Sequence, residues 1–303
     1  MKPIIQLSEI TKTFGSLKAV DEVSFAVQQG EIFGLLGPNG AGKTTAIRIM
    51  LDIFKPDRGE VSVLGGAMEE SKKNRIGYLP EERGLYQDIS LERCLVYLGT
   101  LKGLSLAEAR SRLTGFLERF DLADHRRKKI KELSKGMQQK AQVIATLLHR
   151  PELLIIDEPF SGLDPVNTRL VKEVLLEEQQ RGTTIVMSTH QMNQVEELCN
   201  RLVLIHRGRV VLYGEPGSIR RQFSGHAVVI RTSAELPPMP GVLHVERRNG
   251  SYYLSLDENT SPQQVLKALV AAQVLIEHFE VALPSLDEVF VQVVQEAPDL
   301  ESA

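Results

Sequence analysis

The stretch "GPNGAGKTT", Gly37 to Thr45, is the point from which this 303-residue chain is best read. It matches G-x-x-x-x-G-K-[ST], follows the strand-like "EIFGLL" (31–36) and opens the helical "TTAIRIMLDIF" (44–54). Strand, Gly-rich turn and helix start form the context a phosphate-binding loop requires. Its glycines let backbone N–H groups converge on phosphate oxygens, and the helix start adds a positive end. Gly37, Pro38, Asn39, Gly40, Ala41, Gly42, Lys43, Thr44 and Thr45 are therefore expected to cradle a nucleoside triphosphate. Lys43 is expected to neutralise the β- and γ-phosphates, and the Thr44 hydroxyl to ligate Mg²⁺.

A second stretch, "LLIIDEP" (153–159), sets four apolar residues before two carboxylates. This suits a buried parallel strand whose C-terminal edge meets the phosphates. Asp157 is expected to hold the metal. Glu158, turned the other way by the alternation of strand side chains, is the expected general base for an attacking water.

A third stretch, "LSKGMQQK" (133–140), raises a difficulty. Ser134 reads as an N-cap, and Gly136 leaves backbone N–H groups open at a helix start, which makes a second anion site. One nucleotide does not readily fill both sites within one subunit.

Chain order resolves this. Phosphate loop, helical segment, "LSKGMQ", "LLIIDEP", "SGLD" and "STH" follow one another as in the ATP-binding subunit of ABC transporters, which the sequence resembles over about residues 4–220. The resemblance implies ATP and Mg²⁺ as ligands. It also implies a homodimer or paired ATPase subunit joined head to tail, with Ser134 and Gly136 contacting the γ-phosphate held by the other subunit. By the same resemblance Phe14, in "TFGSLKAV", matches the aromatic that stacks on adenine, Asp164, in "SGLDP", the loop that crosses the dimer, and His190, in "STH", the residue that touches the γ-phosphate and holds Glu158 and the water.

The sequence departs from the family pattern in three places. Lys135 and Met137 replace a Gly and a Gln of the usual LSGGQ, and Lys135 has two readings, attraction to phosphate or a solvated side chain. In "YLPEERGLY", Glu81 stands where the family has Gln. It reads either as a contact to metal and water or as a loop carboxylate that tunes the site or meets a membrane partner. "YLPEERGLY", "LSKGMQQK" and the closing "PSLDEVFVQVV" together resemble the bacterial sodium-efflux and antibiotic-resistance exporters.

These features imply an ATPase on the cytoplasmic side of a membrane, peripheral to it and working with a separate transmembrane permease subunit, with export as the direction. The alternative is a soluble ABC-type ATPase acting on a ribosome or nucleic-acid complex. A single cassette and the lack of sustained heptads argue against it, and no nucleic-acid partner is expected.

Composition agrees with this outline. With 42% hydrophobic and 25% charged residues the chain is ordinary globular protein of roughly two domains. Its net charge of -3 is uneven: residues 221–303 hold 5 Lys/Arg against 11 Asp/Glu, leaving 31 against 28 before them. The basic run Arg126, Arg127, Lys128, Lys129 and Lys131 reads as a solvated face or as a contact to a partner or lipid headgroup. Cys94 and Cys199, both in apolar-periodic segments, read as core thiols of a reducing compartment. No apolar run approaches the roughly 18–20 residues of a membrane span.

The expected fold is α/β. Residues 1–220 form a P-loop NTPase domain of the ABC ATPase type, a mixed sheet with a helical subdomain at about 88–150, and 221–303 form a small α+β domain. "SLAE" (105–108) marks a capping box ahead of a helix reaching about Phe120. In the last helix Leu286, Phe290 and Val294, with Val289 and Val293 beside them, make an apolar stripe for its own domain or a second copy.

Overall fold

Three strands whose every residue is buried carry the first unit: β3 (Ile32–Leu36), β6 (Leu153–Asp157) and β7 (Thr184–Thr189). Continuous rather than alternating apolar sequence is what a parallel strand covered on both faces needs. The computed structural model describes residues 3–81, 84–224, 227–248, 250–257 and 259–296. The chain divides into two units, Met1–Gly214 and Glu215–Ala303.

In the first unit the remaining elements are β1 (Ile5–Phe14), β2 (Leu17–Val27), α1 (Lys43–Met50), β4 (Arg58–Val63), α2 (Glu70–Lys73), β5 (Ile76–Leu79), α3 (Leu91–Leu101), α4 (Leu106–Arg119), α5 (Lys135–Leu147), α6 (Pro165–Gln180), α7 (Met192–Leu198), β8 (Arg201–His206) and β9 (Arg209–Gly214). The main sheet has the order β5-β6-β7-β3-β8-β9, parallel except for the β8–β9 hairpin. A second, antiparallel sheet has the order β2-β1-β4. Phe25 of β2 stacks on Phe33 of β3 at 5.4 Å, so the two sheets share one core.

This order places the site. β3, β6 and β7 are neighbours running the same way, so the loops that follow them meet at one sheet edge. Asp157 pairs with Ser188, and Leu36 with Thr189.

The helical subdomain is α3, α4 and α5. The expected capping box is present: Ser105 Oγ accepts from the Glu108 N–H at 3.2 Å, and Glu108 accepts from the Ser105 N–H at 3.0 Å. Ala109, Leu113 and Leu117, four residues apart, form its buried face.

The helix after the phosphate loop is shorter than the expected 44–54. It stops at Met50 because Asp52 turns left-handed, at φ 61°, and the N–H groups of Ile53 and Phe54 both return to the Arg48 carbonyl.

His149 joins the subdomain to the sheet. Its Nε2 lies 3.3 Å from the Ile76 carbonyl oxygen, which also accepts from Lys102 Nζ at 3.0 Å. Burial, with the charges of Lys102 and Arg112, pushes its pKa from 6.5 to about 4. The folded imidazole is neutral, whereas the unfolded one takes up a proton below pH 6.5. Its stabilisation is therefore complete above pH 6.5 and is lost as pH falls towards 4, by up to about 3 kcal/mol. His149→Gln is expected to flatten the fall in thermal stability across that range, and an unchanged slope would assign the fall to other groups.

In the second unit α8 (Pro216–Gln222) precedes β10 (Ala227–Arg231), β11 (Val242–Arg248), β12 (Ser251–Leu256), α9 (Pro262–Ala271), β13 (His278–Val281) and α10 (Leu286–Glu296). The antiparallel sheet β11-β12-β10-β13 packs Val228, Ile230, Tyr252, Leu254 and Leu256 against Val265 and Leu269 of α9. The unit begins at Glu215, ahead of the expected 221. "GSIRRQ" (217–222) lies within α8, and Arg220 Nε donates to the Pro284 carbonyl at 2.7 Å. In α10, Leu286 and Val289 are buried and the helix packs on α8. Residues 297–303 lie outside the described residues.

Candidate functional site

At the shared sheet edge a cavity of about 480 Å³ is lined by Phe14, Leu17, Ala19, the loop from Pro38 to Thr45, Glu81, Asp157 and Glu158. Two glycines of that loop are required by their surroundings. A Cβ at Gly37 (φ 149°) would lie 2.2 Å from the Ile205 carbonyl oxygen, and one at Gly42 (φ 110°) 2.3 Å from that of Ala19. Both contacts are with backbone, which has little room to yield.

Lys43, the first residue of α1, is 6% exposed and donates to the carbonyls of Gly37 at 2.6 Å and Pro38 at 3.2 Å. Burial pulls its pKa down, opposed by the nearby charges of Glu158, Asp157 and Glu81. An ammonium held by two carbonyls of its own loop can exchange them for phosphate oxygens, which compensate its charge as carbonyl dipoles do not.

Thr44 Oγ1 donates to Asp157 Oδ2 at 3.1 Å, and Ser188 Oγ donates to Asp157 Oδ1. Ser188 was not among the expected site residues. Its position two before His190 in "STH", on a strand paired with β6, is the signal that could have found it.

Glu158 corrects one expectation. Strand alternation is not what separates the two carboxylates, because Asp157 ends β6 and Glu158 takes a left-handed conformation at φ 52°. A glutamate in that region is strained by roughly 1–3 kcal/mol, and its surroundings hold it there. Its N–H donates to the Ser188 carbonyl at 3.2 Å, Thr189 Oγ1 lies 3.4 Å from Oε2, and His190 Nδ1 lies 2.9 Å from Oε1. Both carboxylates thus line one cavity, with half-exposed His190 at the Glu158 side.

Phe14, 43% exposed at the end of β1, meets the Phe54 ring edge-on at 5.4 Å and forms with Leu17 and Ala19 the apolar wall. Leu17 and Ala19 were not foreseen, since neither residue type signals a ligand. Glu81 is exposed and lines the cavity, while Glu82 and Arg83 lie outside the described residues.

Ser134, Gly136 and Asp164 are not among the residues that line this cavity. Exposed Ser134 caps α5, accepting from the Met137 N–H at 3.2 Å, and Lys135 beside it is exposed. A Cβ at Gly136 would meet only the Gly162 carbonyl oxygen, at 3.9 Å, so packing within this chain does not require glycine there. Asp164 caps α6, accepting from the Asn167 N–H at 2.8 Å and its Nδ2 at 2.6 Å, and those bonds lower its pKa.

The comparisons with known proteins agree with this geometry. Residues 20–161 match the ABC transporter family, and 214–294 match the C-terminal domain of DrrA1-3-like ATP-binding proteins. The uncharacterised ABC transporter ATP-binding protein YhaQ of Bacillus subtilis is 40% identical, over 96% of this chain and 98% of its own. Daunorubicin resistance ATP-binding protein DrrA3 of Streptomyces coeruleorubidus is 32% identical over 93% of each. A solved ATP-binding subunit of an ABC transporter superposes with a TM-score of 0.68 at 34% identity, over 73% of this chain and 93% of that one. Phosphate loop, paired carboxylates and full-length relatives lead to one conclusion: the chain belongs to the ATP-binding subunits of ABC transporters, whose activity is ATP hydrolysis.

Proposed function

We propose that this subunit powers export, working as a head-to-tail dimer on the cytoplasmic face of a membrane and bound there to a separate permease. The observation that carries the mechanism is the Glu158–His190 pair, 2.9 Å apart, beside a cavity whose floor is Lys43 and the Thr44–Asp157 contact. ATP enters with its base against Phe14 and its phosphates on the loop from Gly37 to Thr45. Lys43 neutralises the β- and γ-phosphates, Glu158 takes the proton of the attacking water, and His190 holds Glu158 and the γ-phosphate. Catalysis is then positioning and charge neutralisation for in-line attack.

Mg²⁺ fits the residues present. The Thr44 hydroxyl, Asp157 and Glu81 offer hard oxygens, few in number, as suits an ion that keeps waters and takes phosphate oxygens. Bound there, it would offset phosphate charge.

Ser134 and Gly136 serve the partner's ATP, and Asp164 lies at the same junction. In support, Gly136 has open space where this chain needs none, which a phosphate approaching from outside would use. Export is favoured by relatives named for linearmycin and daunorubicin resistance. Among the described residues no helix is long and apolar enough to cross a membrane.

Purifying the tagged full-length chain from detergent-solubilised native membranes tests the assembly. A stoichiometric protein with several apolar spans is expected. Recovery with ribosomes or nucleic acid in its place would overturn the proposal.

A further inference from the structure

The turn joining β8 to β9 holds both walls of the nucleotide cavity without lining it. The Gly208 N–H donates to the Ala41 carbonyl in the phosphate loop at 2.9 Å, and the Gly208 carbonyl accepts from the Asp21 N–H in β2 at 2.8 Å. Backbone fills this junction: a Cβ at Gly208 would lie 3.1 Å from the carbonyl oxygens of both Lys18 and Ala19. Ala19 belongs to the apolar wall and Ala41 to the phosphate cradle, so one two-residue turn, Arg207 and Gly208, bridges the two.

A side-chain clamp fastens that turn. Asp21, 7% exposed, accepts at Oδ2 from Arg209 Nε at 2.8 Å, a terminal guanidinium nitrogen of Arg209 lies 2.7 Å from the same oxygen, and Lys18 Nζ lies 3.4 Å from Oδ1. Burial raises the Asp21 carboxyl, and the bonds from Arg209 and Lys18 more than offset it, so the group stays an anion. The planar guanidinium fork thus sets two nitrogens on one carboxylate oxygen, a contact that the single ammonium of a lysine does not reproduce. The mechanism above uses neither residue.

We propose that the Asp21–Arg209 pair is a positioning element that keeps the apolar wall in register with the phosphate cradle, so that one nucleotide engages both. The inference rests on the reading of the Phe14 wall as the adenine site. Neither residue touches ATP. Without the clamp each half of the site persists, but binding a ligand that spans both must also order the junction.

The test compares a ligand that spans both halves with one that fills only the cradle. Full-length protein with Mg²⁺ is titrated with ATP and, separately, with tripolyphosphate, each competing against a fluorescent ATP analogue. Arg209→Gln is expected to weaken ATP binding about five- to tenfold while tripolyphosphate stays within about twofold, because the lost preorganisation concerns the junction alone. KM for ATP rises by the same factor and kcat at saturation holds. Asp21→Asn behaves alike, and the double variant is no worse than either single one, as for two residues of one contact. Arg209→Lys, which keeps the charge without the fork, falls between and serves where Arg209→Gln does not fold. Equal weakening of both ligands, or unchanged ATP affinity, overturns the clamp. Phe14→Ala separates the premises. If it leaves ATP affinity unchanged, the adenine reading fails and the inference with it. If it weakens ATP while Arg209→Gln does not, the clamp alone fails.

Discussion

Glu158→Gln stops ATP turnover while ATP still binds. Glutamine keeps the length of the side chain and a partner for His190, so the cavity retains its shape and only the proton acceptor is lost. A general base contributes about 10²–10⁴ to the rate, so turnover is expected to fall by about that factor. Lys43, Thr44 and the loop glycines are untouched, so ATP affinity is expected to hold. A subunit that binds but does not hydrolyse should accumulate as an ATP-bound dimer, visible by light scattering. Phosphate release within a few-fold of the parent rate would show that Glu158 is not the base.

The second large effect is a rescue. Lys43→Ala removes the charge beneath the phosphates, and Ser134→Arg fills the exposed helix start with a long side chain, so each variant alone is expected to be almost inactive. If Ser134 serves the partner's ATP, a mixed dimer has one composite site with both groups intact and one with neither. Random association makes half of the dimers mixed, and an equimolar mixture should recover roughly a quarter of the parental rate by mass action. Mass spectrometry of the intact dimers checks that mixing occurred. No recovery in a sample containing mixed dimers would place Ser134 on its own subunit's nucleotide or make the two sites dependent on each other.

Much of the architecture is legible in local pattern. The buried strands announce themselves as uninterrupted apolar runs, "IFGLL", "LLIID" and "TIVMST", and α4 by its capping box and four-residue spacing. Element ends are less legible. The helix after the phosphate loop stops early because a left-handed Asp52 and two N–H groups converging on Arg48 end it, and neither shows in helix periodicity. The stretch "LIEHFEVA" forms a strand only over His278–Val281, where β10 supplies a partner. Strand propensity beyond the partner's reach has nothing to pair with.

By itself the sequence determines the chemistry of the cradle: glycines where backbone must approach backbone or phosphate, a lysine and a threonine at the helix start, and two carboxylates after a buried strand. These are local requirements, written in consecutive residues. Only the tertiary structure decides what stands beside them. The adjacency of β3, β6 and β7 brings Ser188, Thr189 and His190 to Asp157 and Glu158, residues some thirty positions away. A left-handed turn, not strand alternation, aims Glu158. Asp21 and Arg209, separated by 188 positions, meet because two sheets share one core. Pairings at such distances depend on strand order and packing, which no short window of sequence contains, and for that reason the clamp at the β8–β9 turn appears only in the folded chain.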